Sequence, residues 1–215
     1  MKKRILALTA VIILTATIPV CAEWTQTQTT ANQIANLARG MGLQETNPII
    51  QEASRIWWAE EQAKQEKAEA ERQAFLDAHY SDAVMMAKTM YGEAKGIGDK
   101  RELSMICWTI LNRYDSGRFG GSISAIITSP RQFAYRASAP TVNQCGVDLL
   151  ALSQDVLSRW YREKQGEADV GRTLPPGFCF YYGDGRHNYF RTSDRGKGYL
   201  YFEGYGDPYE CEDKK

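Results

Sequence analysis

Glu93 is the carboxylate best placed for acid chemistry in this sequence. It stands three residues after Met90 and seven after Met86, at the edge of an apolar stripe with helical spacing. It also falls in the last turn of the helix that this stripe predicts. Negative charge there meets the negative end of the helix dipole, and partial burial adds a desolvation cost. Both favour the protonated form that a general acid must hold. By position alone, a surface glutamate at a fraying helix end is the competing reading. There are only two histidines, His79 and His187, no HExxH run, and no metal-ligand spacing among the cysteines, so neither a metal site nor a cofactor is expected.

The elements that must position Glu93 read as follows. Ala83, Met86, Ala87, Met90, Tyr91 and Ala94 predict a helix over about Asp82–Ala94, with Ser81 as its N-cap and Gly96 and Gly98 after its end. Asp99 starts a second helix, with Glu102 at N3 as a capping box in its Asp form. Leu103, Ile106, Cys107, Ile110, Leu111 and Tyr114 form its stripe, and Gly117 is its stop. A third helix is expected over about Gly146–Glu163. After Pro175 and Pro176, the runs Phe178–Tyr182, Asn188–Arg191 and Tyr199–Phe202 read as short strands of a small sheet. Helices first and strands later predict an α+β domain.

Upstream, residues 48–79 predict a long N-terminal helix. It opens on Ile49, Ala53, Ile56 and Trp57, then lacks large apolar residues between Trp58 and Phe75. A solvated helical spacer is the favoured reading, because no heptad is sustained; a wall or partner contact through this helix is the alternative. Residues 23–47 are polar and read as loosely ordered, with a short helix around Ile34–Leu37. Residues 80–215 are the expected catalytic domain.

The chain of 215 residues holds one ordinary domain plus extensions. Lys and Arg number 26, as do Asp and Glu, which argues against a nucleic-acid partner. Residues 1–22 have the layout of a secretory signal peptide: Lys2, Lys3 and Arg4, an apolar run to Val20, then Cys21 and Ala22. An uncleaved anchor and a lipidated Cys21 are the weaker readings, so a secreted, periplasmic or cell-wall-associated protein is expected. Cys107, Cys145, Cys179 and Cys211 could then oxidise, in any of three pairings, although Cys107 lies on an apolar stripe and reads equally as a buried thiol.

Tyr91-Gly92-Glu93-Ala94-Lys95-Gly96 resembles the YGEARG-type motif of the SleB-like cell-wall hydrolases, the family of the spore-cortex-lytic enzymes. Four further elements follow in order: Trp108–Arg113, ending in LNR; Ile123–Phe133, ending in QF; the aromatic strand Phe180-Tyr181-Tyr182; and Gly185–Phe190, similar to a closing GxHxFY-like element. The resemblance covers about Ala83–Arg191, departs by Lys95 in place of Arg, and has no counterpart for the loop Ala134–Cys145 or for the tail from Thr192.

The resemblance implies a compact lysozyme-like helical domain with a small antiparallel sheet. It also implies a peptidoglycan glycan-strand substrate, cut between N-acetylmuramic acid and N-acetylglucosamine by a lytic transglycosylase that uses Glu93 alone. A hydrolytic muramidase on the same bond would need a second carboxylate, with Asp99, Asp115 and Asp184 as candidates. A non-catalytic peptidoglycan-binding or assembly protein is a third reading. Gln132 is expected to bond an acetamido group, and Phe133 to wall the cleft or pack in the core. Tyr181 and Tyr182 alternate across a strand, so one of them faces the sugar. His187 either orients substrate or is structural, Asn112 and Arg113 lean to structural roles, and a monomer is expected.

Overall fold

The computed structural model describes residues 33–44 and 46–210. The signal-peptide expectation and any part for Cys21 or Cys211 lie outside them. The chain divides into two compact units at Ala70/Glu71. In the first, residues 33–40 are helical (α1), and α2 begins at Pro48 and runs to Ala78. Ala35, Ala38, Ile50 and Ala53 are buried there, whereas residues 62–71 are all exposed. The polar stretch between Trp58 and Phe75 is therefore solvated.

The second unit takes the last turns of α2, so the expected boundary near residue 80 moves upstream. Phe75 stacks on Tyr161 at 4.7 Å, and Arg72 donates to the Ser158 hydroxyl at 2.8 Å. A single residue, His79, separates α2 from α3 (Tyr80–Ala94). Ser81 is therefore inside the helix rather than its cap. His79 binds Asp82 through Nδ1 at 2.8 Å instead. α4 (Lys100–Ser116), a six-residue α5 (Ile123–Thr128) that the periodicity did not announce, and α6 (Leu149–Lys164) follow. β1 (Phe180–Gly183) and β2 (Asn188–Arg191) make one antiparallel hairpin, with Tyr181 opposite Phe190 and Tyr182 opposite Tyr189. The fold class is α+β, mostly helical. Tyr199–Phe202 is not a third strand: Tyr199 makes one bridge to Phe190, and Phe202 turns back onto Phe178 at 4.7 Å. An aromatic cluster takes the chain that a longer ladder would have used.

α4 organises the domain. Asp99 caps it by accepting from the Arg101 and Glu102 amides, and Gly117 ends it in the left-handed conformation at φ 65°. All twelve residues from Glu102 to Arg113 are buried, so this is a core helix rather than a one-sided stripe. Met86, Met90, Ile126, Leu149 and Val156 join it in the core. A helix buried all round must find partners for its polar side chains, and those of Glu102, Ser104, Asn112 and Arg113 reach the segment 173–188. Ser104 bonds Thr173 at 2.7 Å, and Asn112 donates to the Pro175 and Phe178 carbonyls at 2.9 and 3.0 Å.

Glu102 is the wholly buried carboxylate among these anchors. It does not close the expected capping box. Its side chain accepts from the Asn188 amide at 2.6 Å and from His187 Nδ1 at 3.0 Å, tying the end of the hairpin turn to the core helix. The hydrogen bond to Glu102 raises the His187 pKa above its usual 6.5. A group raised on folding lends stability in full below the unfolded value and loses it as pH climbs through the folded one. Melting of the wild type relative to His187→Gln should therefore fall as pH rises from about 6.5. A pH-independent difference in melting temperature would contradict this.

Cys107, Cys145 and Cys179 are free thiols. Cys107 sits in the core beside Met90 and Ser153, and burial pushes its thiol up to about 12, the inert-thiol alternative for that residue.

Candidate active site

Glu93 occupies the penultimate position of α3, partly buried. Its Oε1 accepts the backbone N–H of Ala134 at 2.5 Å. The residue before it explains how loop and helix come so close. A Cβ on Gly92 would lie 1.9 Å from the Ala134 carbonyl oxygen and 2.9 Å from its carbon. Only glycine allows the peptide at 134 to lie on α3 and present its amide to the next side chain. Two letters of the motif thus have one physical cause.

The sign of a substitution here is diagnostic. Helix propensity alone would make Gly92→Ala stabilising by about 1 kcal/mol. Because the obstacle is backbone, the exchange should instead destabilise by about 1–3 kcal/mol and withdraw the Ala134 amide from Glu93. Thermal melting checks this; a stabilised variant would show that the contact is dispensable.

The loop is fastened along its length. Lys88 Nζ donates to the Ala137 carbonyl at 2.5 Å, the Gln144 amide to the Lys95 carbonyl at 3.0 Å, and Asn143 Nδ2 to the Ile97 carbonyl at 2.7 Å. Arg131, just upstream, holds φ 62°, a left-handed strain of roughly 1–2 kcal/mol in a residue with a side chain. That turn delivers Gln132 and Phe133.

Arg113, expected to be structural, is what gathers the site. Its Nε donates to the Cys179 carbonyl and its Nη1 to Gln132 Oε1, both at 2.7 Å, and its guanidinium lies 4.5 Å from the centre of the Phe133 ring. Burial pulls the guanidinium below its usual range, while the fields of Tyr181, Cys179 and Glu93 act the other way. Because Arg113 can only donate, Gln132 turns Oε1 toward it and keeps its Nε2 donors for another partner. Phe133 and Tyr181 lie 6.3 Å apart, ring to ring. The Tyr181 hydroxyl is buried without a hydrogen bond of good geometry. Burial first, then the neighbouring Glu93, drive its phenol well above the usual range, so it stays a proton donor.

Glu93, Gln132, Phe133 and Tyr181 therefore converge. Tyr182 projects from the other face of β1 and stacks on Tyr189 at 5.4 Å. His187 is bound to Glu102, the structural alternative for that residue. Neither Tyr182 nor His187 joins the cluster. The three aspartates are also committed elsewhere. Asp99 caps α4, Asp115 accepts from Trp160 Nε1 at 3.2 Å and pairs with Lys164 at 2.8 Å, and Asp184 accepts the amides of Arg186 and His187, each at 2.8 Å.

Chemically, the cluster offers one carboxylate with one oxygen fixed by an amide, a neutral phenol, free amide donors and an aromatic wall. Comparison of the chain with protein-family models, curated proteins and solved structures gave no match.

Proposed function

We propose that this chain cuts peptidoglycan glycan strands between N-acetylmuramic acid and N-acetylglucosamine as a lytic transglycosylase, with Glu93 as its single acid and base. The observation that carries the reading is Glu93 fixed through Oε1 by the Ala134 amide, amid Gln132, Phe133 and Tyr181. The five ordered sequence elements similar to SleB-like hydrolases support it. So does a helix-end glutamate packed against a buried helix and a hairpin, which is the basis for calling the arrangement lysozyme-like.

Because the Ala134 N–H already donates to Oε1, the transferable proton belongs on Oε2. Glu93 gives that proton to the glycosidic oxygen as the bond to muramic C1 breaks, and N-acetylglucosamine leaves with a free 4-hydroxyl. The same carboxylate then takes the proton of the muramic C6 hydroxyl as O6 attacks C1. The 1,6-anhydro ring closes, Glu93 is protonated again, and no water is consumed. Tyr181 donates toward the carboxylate while it is charged. Gln132 Nε2 donates to an acetamido carbonyl, and the Phe133 ring walls the sugar. The second carboxylate of an ordinary glycosidase has no role in this scheme. Secretion, or another route to the wall, is part of the same proposal.

The test is clearance of a purified peptidoglycan suspension. Falling turbidity supports an enzyme. Co-sedimentation of folded protein with an unchanged suspension would favour the non-catalytic wall-binding reading.

A further inference from the structure

A cavity of about 280 Å³ adjoins the Glu93–Ala134 contact. Gly92 and Ala134, the pair in closest approach, form one wall, and Tyr91, Lys95, Arg136 and Ser138 line the rest. The lining contains two cations, two hydroxyl-bearing residues and no carboxylate. Lys95 and Arg136 have no carboxylate partner among the described residues, whereas Arg159, Arg162, Lys164, Arg172 and Arg191 each pair with one. The wall is also set in place: Lys88 fixes Ala137, and the Gln144 amide binds the Lys95 carbonyl. Two unpaired cations that converge on one cavity with hydroxyls form a site for an anion, and a planar carboxylate suits the Arg136 fork.

We propose that this cavity is a carboxylate subsite, which takes the acidic substituent carried on O3 of the muramic acid whose bond Glu93 cuts. The inference rests on the proposed cleavage reaction and adds the class of strand preferred: one bearing free carboxylates, rather than muramic acid neutralised as its lactam. On muramic acid the O3 substituent projects from the same ring that holds the scissile C1, so a cavity beside the Glu93–Ala134 contact lies within its neighbourhood. The carboxylate has two possible sources, the lactyl group itself and the peptide attached to it.

The subsite can be read separately from cutting. Full-length Glu93→Gln protein is titrated with soluble disaccharide-peptide, with the same disaccharide stripped to its lactyl carboxylate, and with the peptide form amidated to remove its charge. Lys95→Gln/Arg136→Gln is then added to that background and the titrations repeated. The expected result is about tenfold weaker binding or more in the double variant for a charged form, a difference that shrinks as added salt weakens binding to the parent protein, with the amidated form bound equally by both proteins. If the peptide form responds and the stripped form does not, the peptide supplies the carboxylate; the reverse assigns the lactyl group. Equal binding by the two proteins, or binding by neither, overturns the subsite. A wild type that fails to cut while charge-dependent binding persists would overturn the proposed reaction and leave the carboxylate site standing.

Discussion

Glu93→Gln should melt within about 1 °C of the wild type and cut peptidoglycan roughly a thousandfold more slowly. The fold survives because glutamine keeps an Oε1 that accepts the Ala134 amide. What it loses is the proton on the other atom, since an amide nitrogen can neither donate usefully to the glycosidic oxygen nor recover a proton from the C6 hydroxyl. Glu93→Asp makes the complementary change. It keeps an acid but draws it back by one methylene from Ala134, and should lose activity for reasons of position. Circular dichroism beside turnover separates the two effects. A Glu93→Gln protein that is folded and within tenfold of wild type would remove Glu93 from the chemistry.

The second large effect is on stability. Glu102 is wholly buried and accepts from Asn188 twice, at 2.6 and 3.2 Å, and from His187 at 3.0 Å. Glu102→Ala strands those donors inside the protein and opens a void, which should cost about 3–5 kcal/mol. Glu102→Gln keeps an oxygen for the Asn188 amide, and His187 can change tautomer to accept from the new amine. Its cost should therefore be smaller, about 1–2 kcal/mol. Denaturant unfolding measures both. Equal losses would mean that the carboxylate charge, which both variants lack, carries the whole effect and volume none of it, and a Glu102→Ala loss below about 1 kcal/mol would show that α4 does not hold the hairpin.

Much of the scaffold is legible in local pattern. The α3 stripe, the Asp99 cap and the Gly117 stop are one- to four-residue signals, and each falls where the chain needs it. Glu93 in the last turn of α3 follows from the same arithmetic. The alternation that sends Tyr181 and Tyr182 to opposite faces is equally local.

The rest depends on partners that periodicity cannot choose. Glu102 meets His187 across 85 positions, so a residue that fits a local capping box is claimed by a distant amide and imidazole. Arg113 looks like a basic helix terminus, yet its guanidinium gathers Gln132, Phe133 and the chain at Cys179. The segment Ala134–Cys145 carries no repeat or stripe. Its contribution is a backbone amide, a group every residue but proline possesses. The one sequence signal for that contact is Gly92, a glycine where helix propensity disfavours one.

The central claim, one carboxylate and an internal nucleophile, is tested most directly by the new ends of the cut strands. Purified peptidoglycan is digested with the wild type and the soluble products are read by mass spectrometry, with Glu93→Gln alongside. The account predicts 1,6-anhydro-muramic ends from the wild type alone, lighter by one water than reducing ends. Reducing muramic ends that take up oxygen from labelled water would contradict it, because water rather than the C6 hydroxyl would then be the nucleophile and a second general base would have to be found.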